Sequence, residues 1–203
     1  VVDIRHEFQS LLDRPAHGFG KNLNPCVDCK ILMLSKARQR MEAEGAAFVF
    51  TGEVMGQRPM SQNRQSLDVI EKAAGLQGRL LRPLCGAHLP PTEPEQQGLF
   101  SRAQLLSIQG RSRKEQARLA EELGVTEYPS PAGGCLLTDP QYARRLADWL
   151  ERRGAQGMHP DEAALLLIGR HILLPAGGKV VIGRHEEENQ GLQHFRALGG
   201  LME

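Results

Sequence analysis

Apolar residues recur at helical spacing in several separate stretches of this chain. Ile31, Leu34, Ala37 and Met41 fall three or four positions apart, which puts them on one face of a helix. They predict a helix over residues 29–44, closed by Gly45, because glycine readily takes the left-handed conformation that ends helices. Leu67, Ile70 and Ala74 predict a second helix over 63–74, with Gly75 as its stop. Ser101 caps a third over 102–108, and another covers 114–123 before Gly124. Asp139 followed by Pro140 marks the start of a helix running to about Arg153: an acceptor side chain stands ahead of a residue that has no N–H to satisfy.

Between the first two of these helices, Phe48, Val49, Phe50 and Thr51 form a short β-prone run, the pattern of a buried strand in a parallel sheet. Residues 1–4 and 79–84 read as further strands, and 7–12 as a short helix. Residues 13–28 form a turn-rich loop, and 89–98, rich in Pro and Glu, an irregular excursion. Helix followed by strand with short joins predicts an α/β core with a parallel sheet. Residues 154–160 read as a linker. Beyond it, a helix over 161–167, strands over 171–174 and 180–182, and a helix over 186–198 predict a small α+β appendage. The expected division is therefore 1–153 and 160–203, without internal repeats.

The 203 residues are 40% hydrophobic and 24% charged, a composition that supports a packed core and argues against disorder. No apolar run approaches the ~18 residues needed to span a bilayer. A net charge of +1 leaves any nucleic-acid surface to a local patch. Four cysteines are too few for a disulfide scaffold, so the expectation is a cytoplasmic protein with reduced thiols.

Three of those cysteines carry the candidate chemistry. Cys26 and Cys29 form a CxxC pair, and Cys135 follows the glycines Gly133 and Gly134, which let the backbone approach a bulky group closely. Two thiolates at this spacing reach one metal centre. A third completes a three-thiolate site with one position left open for chemistry. An iron–sulfur site is the leading reading of these residues, with a zinc half-site and a thiol redox pair left open beside it. A redox CxxC usually opens a helix directly after a strand, whereas a long loop precedes this one. A structural zinc site usually brings a second CxxC or CxxH, and the chain offers only Cys85, Cys135 and seven scattered histidines. Cys85, beside a strand end, reads as a core thiol.

A polar loop follows the 48–51 strand, containing Thr51, Gly52, Glu53, Gln57, Arg58, Ser61 and Gln62. Ligands of open α/β sheets bind outside the carboxyl ends of strands, so these residues are candidates to read a nucleotide or a substrate. Arg111, Arg113 and Lys114 sit at a helix start, where cations oppose the macrodipole. Phosphates of ATP or of an RNA backbone explain them, as does a solvated face. The acids at 186–188 are accounted for by their place at a helix N-terminus.

The blocks 24–30, 51–62, 82–84, 110–114 and 131–139 together resemble the PP-loop tRNA thiolation enzymes, nearest to the 4-thiouridine synthetase-like and 2-thiouridylase-like subgroup. The resemblance covers residues 1–150; the segment Val181-Ile182-Gly183-Arg184 is similar to a small RNA-associated module that follows the catalytic domain there. It implies a PP-loop ATPase-type core and a tRNA sulfurtransferase. ATP with Mg adenylates a uridine carbonyl oxygen, and a sulfur species then displaces AMP. In the iron–sulfur members three cysteines hold a [4Fe-4S] cluster whose open iron takes the attacking sulfide, and Cys26, Cys29 and Cys135 stand at the matching positions. In other members two cysteines carry and resolve a persulfide without metal. The expected partners are tRNA and a sulfur donor (sulfide or a persulfide carrier), without a membrane and with a homodimer open. A zinc-stabilised, non-catalytic RNA-binding fragment is the rival. The family's Ser-Gly-Gly-x-Asp-Ser ATP loop is not found in this sequence. The resemblance places it upstream of Val1, so the expectation is the C-terminal part of a longer protein, inactive alone.

Overall fold

In the computed structural model, which describes residues 1–128, 134–155 and 157–198, the CxxC pair opens a long helix. The chain is mixed α/β and 47% helical. Helix α1 (Arg5–Asp13) is followed by the expected loop and then by α2 (Cys26–Ala43). Strand β1 (Val49–Phe50), helix α3 (Arg64–Ala73) and strand β2 (Leu80–Leu81) come next. β1 and β2 pair in parallel, Val49 with Leu80 and Phe50 with Leu81, and α3 makes the crossover that a parallel pair requires. Asn63 caps α3 by accepting the Ser66 N–H at 2.9 Å.

Val27, Leu34 and Met41 of α2 pack with Ile70 of α3 and with Ala74, Leu76 and Leu80. This core fixes the CxxC helix against the parallel pair. The expected burial of the first strand holds only in part, because Phe50 is 72% exposed.

Two other expectations fail for identifiable reasons. Residues 1–4 form no strand: the Asp3 carboxylate accepts the Arg5 N–H at 2.9 Å as the chain turns into α1. The expected 102–108 helix is a single 3₁₀ turn at Arg102–Gln104. Beyond it the Leu106 and Ile108 N–H groups donate to the Pro83 and Leu84 carbonyls at 2.8 and 2.9 Å, so tertiary bonding holds this stretch extended. The excursion over 89–98 contains the short helix α4 (Glu93–Gln96), and α5 (Lys114–Glu122) follows.

A second core joins Leu12 of α1 to Leu137, to Tyr142 and Leu146 of α6 (Pro140–Arg153), and to Met158 and Leu166 around α7 (Pro160–Leu165). Asp139 caps α6, accepting from the Gln141 and Tyr142 N–H groups at 2.9 and 2.8 Å. Asp139→Ala is expected to cost about 1 kcal/mol, read as a melting temperature lower by about 2–4 °C.

Strands β3 (Arg170–Leu173) and β4 (Lys179–Ile182) form an antiparallel hairpin, and α8 (Glu186–Leu192) gives way to a 3₁₀ segment at Gln193–Leu198. The hairpin is tied to α6 by Asp148, which accepts from Lys179 Nζ at 2.7 Å and Arg152 Nε at 2.9 Å. The Lys179 bond, then the Arg152 bond, holds this carboxyl below its ordinary value of 3.8. A lowered folded value means that the tie is complete above the ordinary value and is lost as pH falls through the folded one. Amide exchange in β4 should therefore accelerate as pH drops below 3.8, beyond its intrinsic pH dependence, and the acceleration should be absent in Asp148→Asn. Among the described residues no helix is long and apolar enough to cross a membrane.

Candidate thiol site

Cys26 and Cys29 both lie in the first turn of α2, which starts three residues earlier than its apolar period suggested. The Cys29 N–H donates to the Pro25 carbonyl at 2.8 Å. Residues i and i+3 share a helix face, so the two thiols point the same way. Asp28, between them, faces inward and is 6% exposed. Its carboxylate accepts the His17 N–H at 3.0 Å and lies 2.9 Å from His17 Nδ1. That pair folds the preceding loop back over the start of the helix.

Cys135 reaches this place through the same loop. The Asn22 side-chain amide donates to the Thr138 carbonyl at 2.8 Å, and Leu23 and Cys135 pack against the second core. A 3₁₀ turn at Leu136–Thr138 follows, with the Thr138 N–H and hydroxyl donating to the Cys135 carbonyl at 2.8 and 2.6 Å. Gly133, counted with this turn in the sequence, lies outside the described residues; Gly134 is exposed.

Cys29 responds to its burial and to the other two cysteines. Burial pushes the Cys29 thiol above the ordinary cysteine range, and the Cys26 and Cys135 thiols push it further, against a smaller pull from Lys30. Burial raises the Tyr142 phenol, and Cys135 adds to that. All three cysteines are half-buried and free. An all-thiol donor set suits iron–sulfur ligation and fits the [4Fe-4S] group in kind. Among the described residues no three His, Cys, Asp or Glu side chains are gathered tightly enough for one metal ion. Cys85 stands apart: it is fully buried and donates to the Glu53 carbonyl at 3.4 Å.

The loop over 51–62 lies on the same face of α2. The Cys26 thiol donates to Ser61 Oγ at 3.0 Å, and Lys30, one turn further along, lies 3.3 Å from Glu53 Oε1. Ser61 is fully buried, and Glu53 and Gln62 are 3% and 4% exposed. Glu53 turns inward: its Oε2 accepts from Arg82 Nε and Thr51 Oγ1, each at 3.2 Å. Arg82, 3% exposed, also donates to Glu71 Oε2 at 2.8 Å. Gly52 is exposed and Arg58 half-buried. Gly56 has φ +80°, and a Cβ there would stand 3.4 Å from the Gly110 backbone, so the loop closes on residues 109–110 by glycine-to-glycine approach.

Gln57 Nε2 donates to Gln116 Oε1 of α5 at 2.5 Å, which brings the basic run beside the loop. Arg111 is exposed, Arg113 sits half-buried at the N-cap position of α5, and Lys114 opens the helix. The structure thus brings Cys26 onto Ser61 and Lys30 onto Glu53, and connects the cations at 111–114 to the loop through Gln57. Sequence reasoning missed Lys30, Asp28, Arg82 and the Asn22–Thr138 tie. Two of these carried a signal: Lys30 is four residues from Cys26 on a helix, and Arg82 is a charge directly after the two leucines of β2.

The chain matches no protein-family model, no curated protein and no solved structure.

Proposed function

We propose that this protein is a tRNA sulfurtransferase that converts a uridine to thiouridine at the Cys26, Cys29 and Cys135 site, in an ATP- and Mg-dependent reaction. The observation that carries the reading is that the loop leading into the CxxC helix also holds the turn that carries Cys135, through the Asn22 amide on the Thr138 carbonyl at 2.8 Å. The resemblance of the motif blocks to the PP-loop thiolation enzymes supplies the reaction class and the PP-loop type of core. In this reading Cys26, Cys29 and Cys135 hold a [4Fe-4S] cluster which, when bound, offers an open coordination position for sulfide. Glu53 and Arg82 support the loop from beneath. Thr51, Gln57, Arg58, Ser61 and Gln62 face the nucleotide or the target base, and Arg111, Arg113 and Lys114 take phosphates of tRNA or ATP.

The test is made in cells. Disrupting the gene that encodes the chain and digesting total tRNA for nucleoside mass spectrometry should show the loss of one thiouridine species, restored by the wild-type gene. An unchanged set of thiolated nucleosides overturns the proposal.

A further inference from the structure

Ser61 is fully buried, and among the described residues its hydroxyl meets one partner, the Cys26 sulfur at 3.0 Å. The backbone beside it is fixed: the Gln62 N–H donates to the Arg58 carbonyl at 2.9 Å, and the Gly56 N–H donates to the Gln62 carbonyl at 2.6 Å. Arg82 anchors the start of the loop through Glu53. The hydroxyl is therefore held against the sulfur. Cys29 and Cys135 lack such a neighbour, since among the described residues no side chain donates to either sulfur.

A hydroxyl both donates and accepts. While Cys26 carries its proton, the thiol donates, Ser61 Oγ accepts, and the hydroxyl's own proton is left without an acceptor. A buried donor in that state is costly. A cysteine binds metal as its thiolate, so ligation sends the thiol proton to solvent. The sulfur then only accepts, and the Ser61 O–H can turn onto it as a charge-assisted hydrogen bond. The pair is fully satisfied once Cys26 is a ligand.

We propose that Ser61 is the hydrogen-bond donor to the ligating Cys26 sulfur and thereby raises the reduction potential of the [4Fe-4S] group. The proposal rests on the sulfur-transfer reading above and names the residue through which the 51–62 loop acts on the metal. A hydrogen bond draws negative charge off the sulfur, so the metal takes up an electron more readily and gives one up less readily. Hydrogen bonds to the sulfurs are among the features that set such potentials. Of the three ligands, Cys26 alone receives one from a side chain.

Dithionite titration with redox mediators tests this on the full chain purified without oxygen, wild type beside Ser61→Ala. The variant should keep its iron and sulfide, because all three thiols remain. Its reduction equilibrium should shift about tenfold toward the oxidised form, the scale of one hydrogen bond to a charged group, which is about 59 mV for a one-electron couple. In resonance Raman spectra the wild-type iron–thiolate stretches should move in deuterium oxide, as the hydroxyl proton exchanges, and move less in the variant. An unchanged potential in a variant that holds its iron overturns the proposal and leaves the sulfur-transfer reading standing. If the variant loses its iron, the wild-type deuterium shift decides: its presence supports the proposal and its absence overturns it. A wild-type protein without iron overturns the proposal as well, and the thiouridine content of tRNA then judges the sulfur-transfer reading separately.

Discussion

Replacing Arg82 by methionine is expected to destabilise the protein by about 3–5 kcal/mol, the scale of removing one partner from a buried ion pair. Arg82 is 3% exposed and holds two carboxylates, Glu53 at 3.2 Å and Glu71 at 2.8 Å. Glu53 is as deeply buried and also faces Lys30 at 3.3 Å. The two cations and two anions balance, and they connect α2, α3, the end of β2 and the loop over 51–62. Methionine preserves much of the volume but leaves Glu53 and Glu71 short of a counter-charge in a medium that solvates them poorly. For a chain of this size the loss corresponds to a melting temperature lower by roughly 6–20 °C. Urea denaturation of the purified variant measures it. Adding Glu53→Gln should recover part of the loss, because one stranded charge is then removed. A cost below about 1 kcal/mol, the range of exposed pairs, would show that water reaches the network.

The second large effect concerns activity. Cys29→Ala, supplied to cells with the disrupted gene, is expected to leave thiouridine at background. The deficit should be at least about a hundredfold, since even residues that only orient metal ligands cost about 10–100-fold. Cys26→Ala and Cys135→Ala should behave alike, because the proposed cluster takes all three thiols as ligands. Cys85→Ala is the contrasting case. Its thiol is fully buried and donates to the Glu53 carbonyl, so the variant should lose some stability and keep the nucleoside. Restoration by Cys29→Ala as complete as by wild type would remove the thiols from the reaction.

The legible parts of this fold were those governed by local chemistry. Asp139 announced the start of α6 because its side chain caps the first turn. The glycines at 45, 75 and 124 announced the ends of α2, α3 and α5, each with a positive φ. The apolar spacing of α2 was equally plain, but its first turn was not. Cys26 and Asp28 interrupt the apolar period, and the helix starts there because Asp28 is held by His17. Tertiary bonds hid the rest. Residues 106 and 108 carry a helical pattern and are drawn straight by the carbonyls of Pro83 and Leu84. The loop over 51–62 was placed correctly at a strand end. The inward turn of Glu53 onto Arg82 depends on a residue far along the chain, which no local pattern encodes. Cys135 is similar: its two glycines marked a turn, while the Asn22–Thr138 bond that docks it is visible only in three dimensions.

The most direct test of the three-thiol site is the iron, acid-labile sulfide and zinc content of the protein purified without oxygen, alongside Cys135→Ala. The account predicts about four iron and four sulfide per chain, lost in the variant while its helical circular dichroism is retained. Stoichiometric zinc, or a metal-free protein that folds and transfers sulfur unchanged by the substitution, would contradict it.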